Sequence, residues 1–336
     1  MSEEIAVLGA GSWGIAIANL LCRSKHDVSL WEFDPHEFEI LRAQRRHEKK
    51  LPGVTIDSAI KITNNLESAI SDSAYIVFAV PAQTLSRVCD RLKSLPVEGK
   101  CYVNLAKGIE TGTLYRMSQV IRSKLAVSDA DYVATLSGPS HAEEVARDIP
   151  TSVVVASENA AFAERVQEVF SHHLFRVYRS TDLIGVELGG ALKNVIAIAS
   201  GIIQGLGFGD NTLGALMTRG LAEITRVGIK LGADPLTFSG LSGLGDLITT
   251  CISEHSRNRH VGWRIGKGEK LNGILESMVM VAEGVETCRS ALELSHRHDV
   301  EMPIAREVHK VLFEDKSPAD AVSDLMGRSL KEEIWS

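Results

Sequence analysis

A glycine-rich turn near the N-terminus constrains the fold more than any other feature of the sequence. Gly9, Gly11 and Gly14 form a GxGxxG motif that follows the β-rich run EIAVL and opens the apolar-periodic segment IAIANLLCRS. In this context the first glycine permits a tight turn, the second lets the backbone approach a pyrophosphate, and the third allows close helix–strand packing. The helix N-terminus offers free N–H groups to phosphate oxygens. The motif therefore predicts a dinucleotide-binding βαβ unit.

Strand and helix patterns continue to alternate as far as about residue 180. Strand-like runs lie at 27–31, 75–80, 101–105, 133–136, 151–156 and 175–178, and helical patterns lie at 64–71, 83–94 and 111–124. Strands that alternate with helices are typical of a parallel sheet with right-handed crossovers. We therefore expect an α/β Rossmann-type, dinucleotide-binding domain with a parallel sheet over residues 1–182.

The rest of the chain has the pattern of helices. Long helical patterns lie at 183–206, 211–231, 259–268, 286–297 and 304–312. The 336 residues are enough for two domains, at about 150 residues per domain. We expect residues 183–336 to form an all-α substrate and catalytic domain, with a cofactor in the cleft between the two domains.

Charge and composition argue against several classes of protein. The net charge of −7 disfavours a broadly basic nucleic-acid-binding protein. The five cysteines form no CxxC pair and no metal-ligand spacing with histidine, so we expect free thiols and no metal. The N-terminus has no signal-peptide pattern, and the longest apolar stretch, 195–208, is interrupted by polar residues and glycines. We expect a buried helix there, no transmembrane segment and a cytoplasmic protein.

Charged residues after the second strand bear on the choice of cofactor. Glu32 stands 18 residues after Gly14, near the spacing of an acid that accepts from the ribose 2′-hydroxyl, and Asp34 is a second candidate. A carboxylate there repels a 2′-phosphate, which favours NAD(H) over NADP(H). The alternative is a solvated acid at a strand end. Four downstream basic residues would bind a phosphate if their loop folds back: Arg45, Arg46, Lys49 and Lys50.

Two lysines occupy positions suited to acid–base chemistry. Lys107 follows the strand CYVNLA, at the edge where an open α/β sheet binds ligands. Lys193 interrupts an apolar helical run, where burial would lower the pKa of its amine towards neutrality. The alternatives are a surface lysine for Lys107 and, for Lys193, an amine that extends from a buried helix to solvent. We expect a ligand on the helix face of Lys193, which holds small or polar residues: Gly189, Ala197, Ser200 and Gln204.

Polar groups follow two further turns. The segment SGPSHA follows a strand, and its backbone N–H groups and hydroxyl can bind an oxyanion or phosphate. The alternative is a turn in which Ser140 caps a helix, with Glu143 three residues on. Asp246 and Thr250 are spaced i, i+4 beyond a glycine-rich turn, so they share a helix face and Asp246 can orient a lysine.

A polar run near residue 257 contains a candidate phosphate site. Ser256, Arg257 and Asn258 place a guanidinium beside hydroxyl and amide donors, a set that suits a phosphate group. The alternative is a solvated loop, because the surrounding run SEHSRNRH is polar throughout.

Seven motifs occur in one order along the chain: GAGSWG, AKG, SGPSHAEEVA, ELGGALKNVIAIASGI, GLGDLITTC, SRNR and VAEGVET. In this order they resemble NAD(P)-dependent glycerol-3-phosphate dehydrogenases of the bacterial type, from Ile5 to about Arg328. The resemblance implies reversible hydride transfer between nicotinamide and C2 of sn-glycerol 3-phosphate, giving dihydroxyacetone phosphate. It also implies a small phosphorylated triose as partner, a homodimer and a role in glycerophospholipid synthesis.

The resemblance also implies roles for individual residues. Lys193 is expected to be the general acid/base at the C2 oxygen, and Lys107 to bind substrate and polarise the carbonyl. The catalytic hydrogen-bond network is expected to be completed by Asn194, Asp246 and Thr250. The matches to substrate contacts are Gly138, Ser140, Ser256, Arg257 and Asn258. The matches to cofactor contacts are Ser12, Trp13, Lys107, Ala142, Arg257, Val281 and Glu283.

One position departs from the pattern that this family shows. Many members carry Arg or His after the second strand for the 2′-phosphate of NADP, whereas this chain has Phe33 beside Glu32. The departure agrees with the preference for NAD(H) that Glu32 indicates.

Two other functions are compatible with the residues alone. A β-hydroxyacid dehydrogenase would also combine a Rossmann domain, a helical domain and a lysine base. A nucleotide-sensing module without catalysis would bind NADH and show no turnover. The lysine pair and the Arg257–Asn258 dipeptide argue against the second of these.

Overall fold

The computed structural model describes residues 2–127, 132–330 and 332–333. The strands in this part of the chain are β1 (Glu4–Leu8), β2 (Asp27–Trp31), β3 (Arg46–His47), β4 (Leu51–Thr55), β5 (Lys61–Thr63), β6 (Tyr75–Phe78), β7 (Cys101–Asn104), β8 (Val133–Ser137), β9 (Thr151–Ala156) and β10 (Phe175–Ser180). The helices that accompany the strands are α1 (Ser12–Arg23), α2 (Pro35–Gln44), α3 (Leu66–Ile70), α4 (Ala82–Leu92), α5 (Met117–Leu125), α6 (Ala142–Val145) and α7 (Ala160–Phe170). The helices that follow them are α8 (Leu183–Gly205), α9 (Asp210–Lys230), α10 (Asp246–Ile252), α11 (Arg257–Gly266), α12 (Leu271–Ser277), α13 (Glu283–His298), α14 (Pro303–Phe313) and α15 (Pro318–Met326).

Eight of these strands form one sheet, in the order β10-β9-β8-β7-β6-β1-β2-β5. Neighbouring strands are parallel except β8 and β9. The predicted Rossmann-type fold followed by an all-α region is confirmed, with this one antiparallel pair as a difference. The connection between β8 and β9 holds only the four-residue helix α6, which is too short to cover the face of the sheet as a parallel crossover does.

Two local differences from the predicted elements have clear causes. The helix predicted over 111–124 begins only at Met117, because Gly112 (φ +86°) and Leu114 (φ +61°) adopt left-handed backbone conformations. Strands β3 and β4 form a separate hairpin that the pattern did not indicate. Strand β4 has the sequence LPGVT, in which proline and glycine obscure any alternation of apolar residues.

Helix α8 is the centre of the helical region. By length and composition it is apolar enough to cross a membrane, but its most apolar 18-residue window lies wholly buried inside the fold. Its side chains belong to a large apolar cluster that includes residues of α9, α11, α13 and α14. The long apolar run is therefore the core of the helical region, as a buried helix was expected to be.

Helices α8 and α11 pack through glycines that face each other's backbone. A Cβ at Gly201 would lie 2.0 Å from the carbonyl oxygen of Arg259, and one at Gly205 would lie 2.5 Å from that of Trp263. On α11, a Cβ at Gly262 would lie 1.9 Å from the carbonyl oxygen of Ile198. Contacts below 3.0 Å leave no room for any side chain, so these glycines set the separation of the two helices.

A buried carboxylate joins the helical region to the sheet. Glu187 of α8 accepts from the backbone N–H of Ser118 at 2.7 Å, the Ser118 hydroxyl at 2.6 Å and the Thr135 hydroxyl at 3.1 Å. Its charge partner is Arg116, at the start of α5. These bonds hold the first half of α8 against β8 and α5, next to the carboxyl ends of the strands.

We predict that Gly262→Ala destabilises the protein by about 1–3 kcal/mol, because the added methyl group must displace the backbone of α8. The matched control is Gly214→Ala in α9, where a Cβ would meet nothing within 4 Å. Alanine there should be neutral or stabilising by up to about 1 kcal/mol. Denaturant unfolding measures both variants, and equal stabilities would contradict the close packing.

Candidate active site

A cavity of about 500 Å³ lies where the carboxyl ends of β1, β2, β6 and β7 meet α8, α10 and α11. Its wall includes the glycine-rich turn after β1 and both candidate lysines. This is the edge of an open α/β sheet where ligands bind, and here the helical region closes the other side. Residues distant in sequence therefore line one cavity.

The glycine-rich turn has a geometry that accepts a pyrophosphate. Gly9 has φ +112°, and a Cβ at Gly14 would lie 1.8 Å from the carbonyl oxygen of Gly9, so neither position tolerates a side chain. Gly11 caps α1 without any side-chain hydrogen bond, and the first turn of α1 has no acidic residue. A Cβ at Gly11 would meet nothing within 4 Å, so the space in front of the helix is open. Free N–H groups and the positive end of the helix dipole thus face the cavity and suit a dinucleotide.

One carboxylate holds both lysines at the opposite end of the site. Asp246 Oδ2 lies 2.8 Å from Lys107 Nζ, and Asp246 Oδ1 lies 3.1 Å from Lys193 Nζ. Lys107 also donates to the carbonyl oxygen of Gly138 at 2.8 Å, and Lys193 donates to the hydroxyl of Thr250 at 2.6 Å. The two ammonium groups, which lie 139 and 53 residues from their shared acid in sequence, are therefore neighbours in space.

Burial and charge set the protonation of this cluster. Burial lowers the pKa of Lys193 to about 8, with the neighbouring Asp246 opposing that shift and Lys107 adding to it. Burial would raise the pKa of Asp246, but the two ammonium groups outweigh burial and lower it. Near neutral pH the cluster therefore holds an ionised carboxylate and a lysine that can exchange a proton.

The glycine-rich turn before α10 places Asp246. Residues 241–245 form a single wide helical turn, which crosses α8 at Gly189: a Cβ there would lie 2.7 Å from the carbonyl oxygen of Ser242. Asp246 and Thr250 then share one face of α10, as their spacing predicts, and both side chains line the cavity. Wide turns of this kind are frequent at functional sites.

Two asparagines connect the lysine cluster to α11 and α13. Asn194 donates to the carbonyl oxygen of Lys107 at 3.2 Å and accepts from the side chain of Asn258 at 2.9 Å. Asn258 in turn accepts from the backbone N–H of Gly284 at 2.8 Å. Arg257 donates to the carbonyl oxygen of Val281 at 3.1 Å. The start of α11 is thus held directly beside the residue that follows Lys193.

Burial shifts the pKa of two partly buried ionisable groups in the cavity wall towards the neutral form of each group. Glu283 accepts from the backbone N–H of Ala82 at 2.9 Å, and burial raises its pKa to about 7. Burial lowers the pKa of His141 to about 4, and the charges of Lys193 and Lys107 lower it further. His141 therefore stays uncharged beside the two ammonium groups.

Most of the candidate residues line this cavity. They are Gly9, Gly11, Ser12, Trp13, Glu32, Phe33, Lys107, Ser140, Ala142, Lys193, Asn194, Asp246, Thr250, Ser256, Arg257, Asn258, Val281 and Glu283. Two others lie behind the wall. Gly14 packs against Gly9, and Gly138 (φ +135°) holds Lys107 through its carbonyl oxygen.

Two expectations from the sequence are wrong, and so are two of the alternatives weighed against the functional interpretation. On the helix face of Lys193, the positions that follow Asn194 admit no ligand. Ser200 donates to the carbonyl oxygen of Cys251, and Gln204 accepts from Arg259. Ser140 does not cap α6; its hydroxyl donates to the carbonyl oxygen of Gly138, and His141 precedes the helix.

The other two concern Asp34 and Arg257. Asp34 caps α2 by accepting from the N–H groups of His36 and Glu37, and unlike Glu32 it does not line the cavity. Arg257 lies in no loop; it is the first residue of α11, and Ser256 caps that helix.

Several cavity residues were not predicted from the sequence: Trp31, Arg87, Arg91 and His255. Only the two arginines could have been found from a sequence pattern. They belong to a set at the i, i+3, i+4, i+7 spacing of one helix face: Thr84, Arg87, Val88 and Arg91. Of the four downstream basic residues, Lys50 lines the cavity, while Arg45 bonds backbone carbonyls.

Comparison with known proteins identifies similar chains over the whole length. Residues 4–163 match the family described as NAD-dependent glycerol-3-phosphate dehydrogenase N-terminus, and residues 182–323 match the corresponding C-terminus. A glycerol-3-phosphate dehydrogenase [NAD(P)+] of Thermoanaerobacter sp. is 52% identical over 98% of this chain and 99% of its own. One from Pelotomaculum thermopropionicum is 51% identical over 99% of this chain and 96% of its own. The crystal structure of glycerol-3-phosphate dehydrogenase from Coxiella burnetii is similar with a TM-score of 0.93, at 35% identity over 97% of this chain and 99% of that one.

We predict that Asp246→Asn destabilises the protein at pH 7 by about 3–5 kcal/mol, because two buried ammonium groups lose their counter-charge. The deficit should shrink as the pH rises from 6 to about 8 and level off by pH 9, because without Asp246 the amine of Lys193 loses its proton at a lower pH than in the wild-type protein. Thermal unfolding across this range measures it, with the exposed Asp72→Asn as control. A pH-independent deficit would show that lost packing, rather than unpaired charge, is responsible.

Proposed function

The chain belongs to the NAD-dependent glycerol-3-phosphate dehydrogenase family, and on this basis we propose that it is an oxidoreductase that interconverts dihydroxyacetone phosphate and sn-glycerol 3-phosphate with NAD(H) or NADP(H). One observation supports this reaction above all: two lysine ammonium groups meet at one buried carboxylate, in a cavity that also contains the dinucleotide turn. A ketone oxygen placed there would face two positive groups.

The lysines supply what reduction of a ketone requires. When bound, the nicotinamide supplies the hydride, and negative charge then develops on the carbonyl oxygen. Lys107 and Lys193, whose side chains are largely buried, stabilise that charge. Lys193 donates the proton, because its pKa of about 8 lets it both hold and release one near neutral pH. Asp246 orients the amines of Lys107 and Lys193, and its negative charge offsets the repulsion between them.

The phosphate of the substrate is proposed to lie at the start of α11. Arg257 offers a guanidinium, and the first turn of α11 adds the positive end of a helix dipole. Asn258 forms a hydrogen bond with Asn194, the neighbour of Lys193. This bond holds the proposed phosphate site at a fixed distance from the place where the substrate carbon reacts. Binding energy from the phosphate can thus be used to position the carbon that accepts hydride.

A single assay separates the proposed function from its rivals. Oxidation of NADH and of NADPH is measured separately with dihydroxyacetone phosphate and with a panel of 3-hydroxy acids and their oxidised forms. Turnover with dihydroxyacetone phosphate supports the proposal. Turnover with the 3-hydroxy acids alone would indicate a β-hydroxyacid dehydrogenase, and cofactor binding without any turnover would indicate a nucleotide-sensing module.

Finer features implied by family membership remain part of this proposal. They are a cofactor-binding domain over residues 1–182, a substrate domain over 183–336, a homodimer, a cytoplasmic location and the supply of glycerol 3-phosphate for glycerophospholipids. Sedimentation analysis tests the dimer, and cell fractionation tests the location.

We predict that Lys193→Ala lowers kcat for dihydroxyacetone phosphate reduction at least about 100-fold, because proton donation is lost. NADH affinity should be retained, which also shows that the variant folds. Lys230→Ala, an exposed lysine at the end of α9, serves as the matched control. Near-normal turnover by the Lys193 variant would refute its assignment as the proton donor.

The pKa of Lys193 also predicts opposite pH profiles for the two directions. Reduction needs the ammonium form, so its kcat/KM should fall as pH rises past about 8. Oxidation of glycerol 3-phosphate needs the neutral amine, so its kcat/KM should rise through the same range. In Asp246→Asn both midpoints should move to lower pH, since the carboxylate raises the pKa of Lys193. Profiles that move in the same direction would exclude Lys193 as the titrating group.

A further inference from the structure

The end of the cavity nearest β2 carries three cations that the proposed catalytic chemistry does not use. Lys50, Arg87 and Arg91 line this end together with Glu32 and Phe33. We call Lys50, Arg87 and Arg91 the cation cluster. The sequence predicts a preference for NAD(H) from two residues that follow β2 directly, Glu32 and Phe33. The fold surrounds them with positive charge from two other elements.

Arg91 reaches this end from α4. Its guanidinium carbon lies 5.1 Å from the centre of the Trp31 ring and 5.2 Å from that of Phe33. Neither Arg87 nor Arg91 has a carboxylate within 4.0 Å among the residues that the structure describes. These cation–π contacts hold the guanidinium of Arg91 beside the two rings and leave its N–H groups available for an anion.

Lys50 reaches the same end from the loop before β4. Its Nζ lies 4.0 Å from Glu32 Oε2 and 3.7 Å from Glu37 Oε2. Both separations are longer than a hydrogen bond, so the amine is shared loosely between two carboxylates. A lysine side chain is flexible enough to move from Glu32 to a phosphate placed beside it.

Glu32 itself is fixed. It is buried, and its Oε1 accepts from the backbone N–H of Asp34 at 3.0 Å. This hydrogen bond holds the carboxylate where a ribose hydroxyl can donate to it. The same site therefore offers an acceptor suited to the hydroxyl of NAD(H) and cations suited to the 2′-phosphate of NADP(H).

We propose that Arg91 and Lys50 are specificity-determining residues that hold the 2′-phosphate of NADP(H); this proposal rests on the proposed function. They take the place of the basic residue that the chain lacks after β2, where Phe33 stands. The positive charges of Lys50 and Arg91 offset the repulsion that Glu32 alone would impose on a phosphate. The chain then uses both cofactors, with the ratio set by charges from α4 and the loop before β4.

The test measures dissociation constants of NADPH and NADH by titration calorimetry, without substrate. Arg91→Gln and Lys50→Gln should each raise the Kd of NADPH at least about tenfold, the usual effect of losing a charge-assisted phosphate contact, and change that of NADH less than about threefold. Glu32→Ala should weaken NADH more than NADPH. Increasing salt should weaken NADPH more steeply than NADH in the wild-type protein, and this difference should diminish in the double variant.

Lys93→Gln is the matched control. It removes one positive charge from the end of the same helix, where Lys93 pairs with Asp90 at 2.9 Å and does not line the cavity. Both Kd values should stay at the wild-type level in this variant.

Two outcomes would overturn the inference. Equal weakening of NADH and NADPH by Arg91→Gln and Lys50→Gln would mean that these residues hold the adenine or the pyrophosphate instead. An unchanged NADPH affinity in both variants would mean that they are surface charges only. Since binding is measured without turnover, failure of the proposed reaction would leave this result interpretable.

Discussion

The buried carboxylate of Asp246 is the interaction on which the rest of the site depends. Two ammonium groups cannot approach one another in a mostly buried cavity unless a negative charge lies between them. Asp246 provides that charge at 2.8 and 3.1 Å from the two amines. Burying these three charges costs free energy, and removing any one of them would leave an uncompensated buried charge. It concentrates positive potential where a developing alkoxide would lie, which a surface lysine could not do in water.

Holding these three groups together requires rigid support from several elements. Asp246 lies beyond a glycine-rich wide turn that crosses α8 at Gly189, and Lys193 lies on α8 itself. Lys107 reaches them from the end of β7, and Glu187 ties α8 to the neighbouring β8. The sheet and the helical region thus meet through α8, so the geometry of the site is a property of their joint packing rather than of a single loop.

The cofactor end shows how tertiary structure can modify a local electrostatic interpretation. Glu32 follows β2 at the spacing of a ribose acceptor, and a reading confined to that strand predicts repulsion of a 2′-phosphate. In the fold, Lys50 and Arg91 come within reach of the same region from a loop and from α4. The net field at this end is the sum over all three elements, and charge–charge interactions depend on distance in space, not on separation in sequence.

The sequence by itself predicted the Rossmann-type region, most strand positions, the long buried α8 and a set of candidate residues, most of which line the cavity. Those features have local signatures: a glycine motif, apolar periodicity, and helix spacing such as Asp246–Thr250. Only the tertiary structure decided that β9 runs antiparallel, that Asp34 caps α2, and that the helix face beyond Lys193 is filled by α10 and α11. The position of Arg91 over Phe33 was likewise invisible in the sequence. Each of these depends on which distant segments pack together, and no local pattern encodes that choice.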